Sequence, residues 1–473
     1  MSNRPDGGPE ADAHIEEAPD GAMSRLVFHD FQRCVGRDLI SHLNDQYAFD
    51  KLCTIDEHVT GFGHSKLTVN DLPFDLLTKS NFIHDSMGVT NWKSLLTNVQ
   101  TAAFFQHPID VLHRQWKSIC DLTDLEVAKA AGELPELRYI ARRGFVHYLT
   151  SDHPLAISLS WNPCARHLAY DDGELRRKMQ TGFAGDSQFE QHIRELAFAN
   201  LKDIDFVGLM DDYRTSCLAM NAFFCHSPMS AVQVPAQAAR ENYSLEVHRA
   251  VSRSCAIDQE LYTRASQRYK KQIADLRKLW GKDLESAARA RYQQSFGELP
   301  TWKLIGMGDA LQGSGWHCRE VNPPRISRWI GPEPKAFLDV VFDKSKSISI
   351  SLRISNCLQH DQVAKLTLTV DGVAVNLQCP ISTATGIYLG GVIEASNLDQ
   401  TTSLLKMEID CHATFRSPSA QDSRQLGVEF TEIELSQIDS PESSSLPAWI
   451  ADKLPTHLLQ RWTQWFNPSK RAA

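Results

Sequence analysis

The 473-residue sequence is 42% hydrophobic, enough to bury a sizeable core, and its length predicts two domains with tails. The net charge of −9, from 49 basic and 58 acidic side chains, argues against nucleic-acid binding, which depends on neutralising phosphates. The 11 cysteines are scattered, with no CxxC pair and no zinc-ligand spacing, so we expect reduced thiols, a cytoplasmic protein and no metal site.

Residues 1–23 contain several acidic side chains, prolines and glycines, but no apolar run. Such a segment is neither a signal peptide nor a transit peptide, and its composition is typical of a disordered acidic arm. No stretch approaches about 18 consecutive apolar residues, so we expect no membrane span.

The first predicted structural unit begins at Arg25. Residues 26–28 form an apolar run that predicts a buried strand, a turn follows at Gly36, and helical spacing of apolar residues comes next. In a strand-turn-helix unit the N–H groups at the helix start converge on an anion, and Arg33 and Arg37 add two cations. The stretch is therefore either an ordinary strand-helix unit or a phosphate-binding loop.

Residues 24–298 are predicted to form an α/β domain with a largely parallel sheet flanked by helices. Apolar bursts at 101–105 and 205–209 follow the one at 26–28, and helix-rich segments separate them. Residues 244–295 keep helical spacing throughout, which predicts two long helices that close the domain.

Residues 299–437 are predicted to form an all-β sandwich domain, because the apolar period drops to two. Residues 347–354 alternate polar with apolar side chains, and Asp371-Gly372 stands between two alternating runs, which predicts a hairpin. Further strands are predicted at 386–394, 403–411 and 426–435.

Residues 438–473 are predicted to be a linker followed by an amphipathic C-terminal helix. Its apolar residues recur at helical spacing, so we expect the helix to dock on the protein. Weak peripheral contact with a membrane is the alternative, although the helix has few basic residues.

Four short motifs follow one another within residues 25–280. They are R-C-V-G-R-D-L at 33–39, Gly63-His64, F-Q-H-P-I-D at 105–110 followed by Arg114, and N-P-C-A-R at 162–166. In this order they resemble the motifs of the bacterial sulfotransferases related to heparan sulfate 2-O-sulfotransferase. That family transfers sulfate from 3′-phosphoadenosine 5′-phosphosulfate (PAPS) to a hydroxyl, usually on a carbohydrate. The resemblance implies a P-loop-like α/β domain, PAPS as the donor and a surface or capsular polysaccharide precursor as the acceptor.

The resemblance also implies which residues bind the donor. Those that stand where the family holds the 5′-phosphosulfate are Arg33, Cys34, Gly36 and Arg37, with Arg33 in place of a lysine. At the 3′-phosphate, Gln106 replaces the family's arginine and Arg114 replaces its serine. Either Arg114 compensates for the missing charge, or the donor site has decayed.

The acceptor side of the resemblance rests on fewer residues. His64 matches the family's base toward the acceptor hydroxyl, a role for which an imidazole is chemically suited near neutral pH. Asn162 and Arg166 match residues near acceptor and donor, while residues 81–98 are extra relative to the family. The alternative is a non-catalytic protein of sulfotransferase fold that serves as a glycan-binding or assembly module.

The predicted sandwich looks like the β-domain appended to many bacterial glycosyltransferases. Trp316 and Trp329 in this region have two interpretations. They stack on sugar rings from an exposed sheet face, or they fill the core of the sandwich.

Overall fold

A computed structural model describes most of the chain between residues 25 and 439. The described residues are 25–31, 35, 37–55, 74–86, 92–129, 134–169, 187–228, 243–323, 325–378, 381–383, 386–417, 419 and 422–439. The predicted acidic arm and residues 440–473 of the predicted linker and helix lie outside them.

The N-terminal region contains a five-stranded sheet in which every neighbouring pair is parallel. The strands are β1 (Arg25–His29), β2 (Leu52–Ile55), β3 (Phe82–Asp85), β4 (Val99–Phe105) and β5 (Phe206–Leu209). The strand order is β2-β3-β1-β4-β5, which places β1 in the middle. The predicted α/β class is confirmed for this region.

Helices make up most of the other described residues of the N-terminal region. They are α1 (Arg37–Asp45), α2 (Phe74–Lys79), α3 (Trp92–Leu95), α4 (Pro108–Cys120), α5 (Asp124–Lys129), α6 (Leu134–Arg142), α7 (Phe145–Leu149), α8 (Pro154–Ser160), α9 (Pro163–Leu168), α10 (Ser187–Asp203), α11 (Tyr213–Phe223), α12 (Leu245–Ser254), α13 (Ala256–Trp280) and α14 (Leu284–Gln294). Among the helices of the described residues, none is both long enough and apolar enough to cross a membrane.

The three strands predicted from apolar bursts are all present as β1, β4 and β5. Their middle residues are buried, and the Phe28 and Phe104 rings pack 5.7 Å apart between neighbouring strands. Gly208 on β5 allows the Phe104 ring to approach closely, because a Cβ at Gly208 would lie 2.8 Å from that ring. The lack of a side chain at Gly208 therefore makes room for a large ring on the neighbouring strand.

Two strands, β2 and β3, were not predicted from the sequence. Each has only 4 residues, too few for a clear apolar period. Strand β3 and helix α3 come from residues 81–98, the stretch that is extra relative to the sulfotransferase motifs. That stretch supplies a strand that pairs directly with β1.

The prediction of two long helices over 244–295 is wrong, because the structure has three, α12, α13 and α14. The chain leaves helical geometry at Cys255 (φ −129°, ψ 38°) and again at Gly281 (φ 92°). Asp283 then caps α14 by accepting hydrogen bonds from the N–H groups of Glu285 and Ser286. Apolar residues on both sides of Cys255 kept the helical period and hid this break.

The described part of the C-terminal region consists mainly of antiparallel strands, as predicted, and it also contains the short α-helix α15 (His360–Lys365). The strands are β6 (Trp302–Gly306), β7 (Gly313–Ser314), β8 (Glu320–Asn322), β9 (Arg325–Trp329), β10 (Lys335–Val341), β11 (Ser347–Cys357), β12 (Thr367–Val370), β13 (Val373–Val375), β14 (Ile381–Thr383), β15 (Gly386–Ile393), β16 (Leu404–Asp410), β17 (Phe415–Arg416), β18 (Gln425–Leu426) and β19 (Val428–Ile438). One sheet has the order β13-β12-β16-β10-β7, and another has the order β14-β15-β11-β19-β9-β8, with β6 paired to β19.

The predicted hairpin at Asp371-Gly372 is confirmed. Val370 pairs with Val373 across a two-residue turn, and both turn residues have positive φ, 48° for Asp371 and 82° for Gly372. Buried side chains from both sheets form one apolar core, to which β11 contributes Leu352 and β16 contributes Met407. The exact domain boundaries stay a prediction.

Trp316 and Trp329 both serve the core of the C-terminal region. Trp329 is 5% exposed. The Trp316 ring packs edge-on against Phe430 at 5.6 Å, and its indole N–H donates to the carbonyl of Phe337 at 3.0 Å. Of the two interpretations, the structure therefore favours core residues over sugar-stacking platforms.

Candidate functional site

The carboxyl ends of the parallel strands define the candidate site. In the strand order, the chain passes from β1 to β2, which lies on one side of β1, and later from β3 to β4, which lies on the other side of β1. The direction of the connections therefore reverses beside β1. Open α/β sheets bind ligands in the crevice that such a reversal leaves at the carboxyl ends of the strands. The carboxyl end of β1 is therefore the candidate site.

The predicted donor-binding residues follow two neighbouring strands. Arg33, Cys34 and Gly36, which come between β1 and α1, lie outside the described residues, as does the side chain of Arg37 at the start of α1. Gln106 directly follows β4, which pairs with β1. The two segments thus leave the sheet at the same edge.

Gln106 and Arg114 differ in their surroundings. The side-chain Oε1 of Gln106 is buried and accepts no hydrogen bond from the part of the chain that the structure describes. Arg114 lies half-buried in the second turn of α4, whose first residue is Pro108. The predicted base His64 lies outside the described residues.

Two histidine–aspartate doublets end the neighbouring strands β1 and β3, and they pair crosswise. His29 and Asp85 are opposite each other in the register, with Nδ1 of His29 3.2 Å from Oδ2 of Asp85. Nε2 of His84 lies 3.2 Å from Oδ2 of Asp30. Because side chains alternate along a strand, the two pairs lie on opposite faces of the sheet.

The His29–Asp85 pair is closed off from solvent, since the two side chains are 2% and 0% exposed. Asp85 also accepts a hydrogen bond from the Trp92 indole at 2.9 Å. Burial raises the pKa of Asp85, but the hydrogen bond and charge of His29 lower it by more. The hydrogen bond from Trp92 and, in acid, the charge of His167 lower it further. The pKa of Asp85 therefore lies below its ordinary value, and the carboxylate is ionised at neutral pH.

The His84–Asp30 pair is more open. The His84 side chain is 12% exposed, against 3% for Asp30. The other oxygen of Asp30 accepts a hydrogen bond from the backbone N–H of Val35 at 3.3 Å. Asp30 thus links the segment after β1 to an imidazole on β3.

A third imidazole, His167 of α9, completes the cluster. Its ring packs edge-on against Phe31 at 5.0 Å, and the His29 ring stacks on Phe31 from another direction at 6.2 Å. Burial lowers the pKa of His167 to about 4, although Asp85 opposes the shift. His167 is therefore neutral at pH 7, and within the described ranges its buried Nε2 has no hydrogen-bond partner.

This cluster provides imidazoles held by carboxylates, the arrangement that prepares a histidine to accept a proton. His84 is the most exposed of the three rings and accordingly the best placed to meet a ligand. Among the described residues, no group of three or more His, Cys, Asp or Glu side chains has the arrangement of a metal site.

The predicted acceptor residue Asn162 has structural contacts. Its side-chain oxygen accepts hydrogen bonds from the backbone N–H groups of Ile257 and Asp258, 2.9 and 3.2 Å away, at the start of α13. In return, Asp258 accepts from the N–H groups of Cys164 and Ala165 at the start of α9. The two helices thus cap each other, and each side chain satisfies N–H groups that a helix start leaves unpaired.

Arg166 also bonds within the fold, through a hydrogen bond from its guanidinium to the carbonyl of Ser158. Burial lowers its pKa and the charge of Asp258 opposes the shift. Burial raises the pKa of Asp258 itself to about 6, despite the two backbone hydrogen bonds. The described contacts of Asn162 and Arg166 are all explained by the fold itself. Acceptor binding by these two residues stays a prediction.

The histidine–aspartate cluster was not predicted, although the sequence carries a signal for it. Phe28-His29-Asp30 and Ile83-His84-Asp85 repeat one pattern, an apolar residue followed by His-Asp. The pattern was not interpretable because β3 itself was not predicted. Once both strands are known to be neighbours, the repeat predicts polar side chains at one edge of the sheet.

No protein-family model and no curated protein matches the chain. A solved structure described as a family GH115 4-O-methyl-α-glucuronidase with specificity for decorated arabinogalactans is 10% identical, with a TM-score of 0.19. The match covers 72% of this chain and 51% of that enzyme, so it spans about half of the enzyme's length. At that TM-score the likeness carries no argument about fold or activity.

Proposed function

We propose that the chain is a sulfotransferase-like enzyme that transfers sulfate from PAPS to a carbohydrate hydroxyl. One observation carries the proposal. The two segments that the motifs associate with the donor's phosphates follow β1 and β4, which are hydrogen-bonded neighbours, and so they leave the sheet at one edge. A donor with phosphates at its 5′ and 3′ positions needs binding groups from two such segments side by side.

In this proposal, the donor binds at the end of β1. Arg33, Gly36 and Arg37, with Cys34 between them, hold the 5′-phosphosulfate, and Gln106 and Arg114 face the 3′-phosphate. The guanidinium groups offset the charge that builds up on the leaving phosphate during transfer. Positioning of donor and acceptor supplies the rest of the rate enhancement.

The reaction is an in-line displacement at sulfur. The acceptor oxygen forms a bond to sulfur while the bond between sulfur and the phosphate oxygen of PAPS breaks. A base takes the proton of the acceptor hydroxyl, and 3′-phosphoadenosine 5′-phosphate (PAP) leaves. His64 is the base that the motifs suggest, and His84, oriented by Asp30, is the base that the described geometry favours.

Variants distinguish the two bases. His84→Gln and His64→Gln are compared with the parent for the release of PAP from PAPS in the presence of a bacterial polysaccharide acceptor. Loss of a general base lowers turnover by about 10²- to 10⁴-fold with little change in donor affinity. The variant that shows this pattern identifies the base.

Donor binding tests the proposal more simply. PAP should raise the melting temperature of the parent, because a ligand that binds only the folded state stabilises it. Arg114→Ala should weaken this shift, whereas Lys117→Ala should not, since Lys117 is an exposed cation one turn further along α4. An unchanged melting temperature at millimolar PAP contradicts the enzyme and favours a non-catalytic, glycan-binding role.

A further inference from the structure

The C-terminal end of α1 is held by the β-rich region. The Arg319 guanidinium donates to the carbonyls of Asn44 and Tyr47 at 3.2 and 2.6 Å, from 275 and 272 positions further along the chain. The N–H of Leu311 donates to the carbonyl of Asp45 at 2.7 Å. The last carbonyls of a helix have no partner within it, so donors from the β-rich region complete this helix end.

An ion pair between buried Arg328 and the partly buried Asp45 joins the same two regions. Nη2 of Arg328 lies 2.6 Å from Oδ1 of Asp45, and the Arg328 side chain is 1% exposed. Its Nε donates to the carbonyl of Met307 at 3.2 Å. A buried ion pair gives little net stability but fixes one arrangement of its two partners, because breaking it leaves a buried charge.

The pair also has a charged neighbour. Burial and the nearby charge of Arg328 lower the pKa of Arg319 to about 10, while Asp45 opposes the shift. Arg319 therefore keeps its proton at neutral pH. The two guanidinium cations therefore lie beside the C-terminus of α1, whose partial negative charge attracts them.

The opposite end of α1 lies at the candidate site. Helix α1 begins at Arg37, shortly after β1, and has 9 residues, so it spans about 13 Å. Leu39 and Leu43 are 0% exposed and fix one face of the helix in the core of the N-terminal region. A short rigid helix clamped at one end cannot tilt at the other without breaking these contacts.

We propose that Arg319 and Arg328 are positioning residues, through which the β-rich region holds α1 in the orientation that the donor site needs. The β-rich region is then a structural part of the active site, not an independent module. The contacts of Leu311, Arg319 and Arg328 with the end of α1 are called the α1 clamp below. The effect of the clamp on PAP binding rests on the proposed function, but the existence of the clamp does not.

The test uses the full chain with Arg328→Met, which removes the charge and keeps the length of the side chain. Arg325→Met is the matched control, since Arg325 is an exposed arginine at the other end of the same strand, β9. Hydrogen exchange of peptides covering 37–47 and the dissociation constant for PAP are measured for each variant. We expect exchange in α1 at least tenfold faster and PAP binding about tenfold weaker in Arg328→Met, with both values unchanged in Arg325→Met.

A second control separates positioning from general loss of stability. Val340→Ala leaves a cavity in the core of the β-rich region, on β10, and Val340 takes no part in the hydrogen bonds and ion pair that hold α1. It should lower the melting temperature but leave PAP affinity and α1 exchange as in the parent. If Val340→Ala weakens PAP binding as much as Arg328→Met does, the effect is general destabilisation and the positioning role is wrong.

Two further variants keep the test decisive. If Arg328→Met does not fold, Asp45→Asn and Arg319→Ala each remove one part of the clamp, and the same exchange in α1 is measured. Unchanged exchange of α1 in folded clamp variants overturns the inference. If the parent does not bind PAP, the proposed function fails, and exchange in α1 alone still decides whether the clamp exists.

Discussion

His29 and Asp85 are opposite each other on neighbouring parallel strands, with Nδ1 3.2 Å from Oδ2. The residues adjacent to them, Asp30 and His84, pair in the opposite sense on the other face of the sheet. One His-Asp doublet per strand thus gives two carboxylate-held imidazoles at the edge where an open α/β sheet binds its ligands. The buried His29–Asp85 pair should contribute to stability, whereas the more exposed His84–Asp30 pair is the one that a ligand can meet.

Asp85→Asn should destabilise the protein by about 3 kcal/mol, because it removes a buried charged partner. The new amide group faces the donors His29 and Trp92, which both bond to Oδ2 of Asp85. Denaturant unfolding of parent and variant measures the difference. Asp361→Asn is the control, with a carboxylate 61% exposed beside Lys365, and should leave stability close to that of the parent.

The same variant should change how stability depends on pH in acid. Since the pKa of Asp85 is lowered in the folded state, its stabilisation is present above about pH 4 and is lost as the pH falls through the folded pKa. Asp85→Asn should therefore lose less stability than the parent below about pH 4. Equal slopes for parent and variant in that range contradict an ionised, hydrogen-bonded Asp85.

Asp258 predicts the opposite trend at higher pH. Burial raises the pKa of Asp258 to about 6 in the folded protein, so between about pH 4 and 6 the folded state binds more protons than the unfolded state. The contribution of this group to the free energy of unfolding should fall by about 3 kcal/mol as the pH rises through that window.

Asp258→Asn should flatten this dependence, whatever stability it loses from the altered cap of α9. Unfolding is measured at intervals between about pH 4 and 7, and the slope is compared with that of the parent. Asp361→Asn should keep the parent's slope, because the hydrogen bond from Lys365 lowers the pKa of Asp361 out of this window. A parent slope that survives in Asp258→Asn contradicts the assignment.

Asn162→Ala should destabilise the protein by about 2 kcal/mol through two separable effects. The side chain caps the start of α13, and the backbone has a left-handed φ of 40° that alanine disfavours. Asn162→Gly removes the cap alone, since glycine adopts this φ without strain.

Thermal or denaturant unfolding of the two variants measures both terms. We expect Asn162→Gly to be more stable than Asn162→Ala, with both below the parent. The reverse order would show that the left-handed conformation is not retained in solution.

The sequence predicted the elements whose pattern is local. The hairpin at Asp371-Gly372 depends on two turn residues and the alternation beside them, and β1, β4 and β5 depend on continuous apolar runs. What was missed depends on contacts between distant residues. Strand β3 is defined by its pairing with β1, a contact that no local pattern predicts. Asp85 at the end of β3 bonds to His29 of β1 and Trp92 of α3.

At the candidate site, too, local patterns were predictable from the sequence and long-range contacts were not. Sequence motifs indicated the segments after β1 and β4, and the sheet brings these segments to one edge. The contacts of Asn162 were not predictable, because its partners on α13 lie 95 and 96 positions away. The clamp of Arg319 and Arg328 on α1 joins residues even further apart and has no local signal in the sequence.

The most direct test of the proposed function is titration calorimetry of the full chain with PAP and, in parallel, with 5′-AMP, which lacks the 3′-phosphate. We predict one PAP bound per chain, at least tenfold more tightly than 5′-AMP, because two segments of the site each hold one phosphate. Binding that is absent at millimolar PAP, or equally strong for both nucleotides, would contradict a PAPS-dependent sulfotransferase.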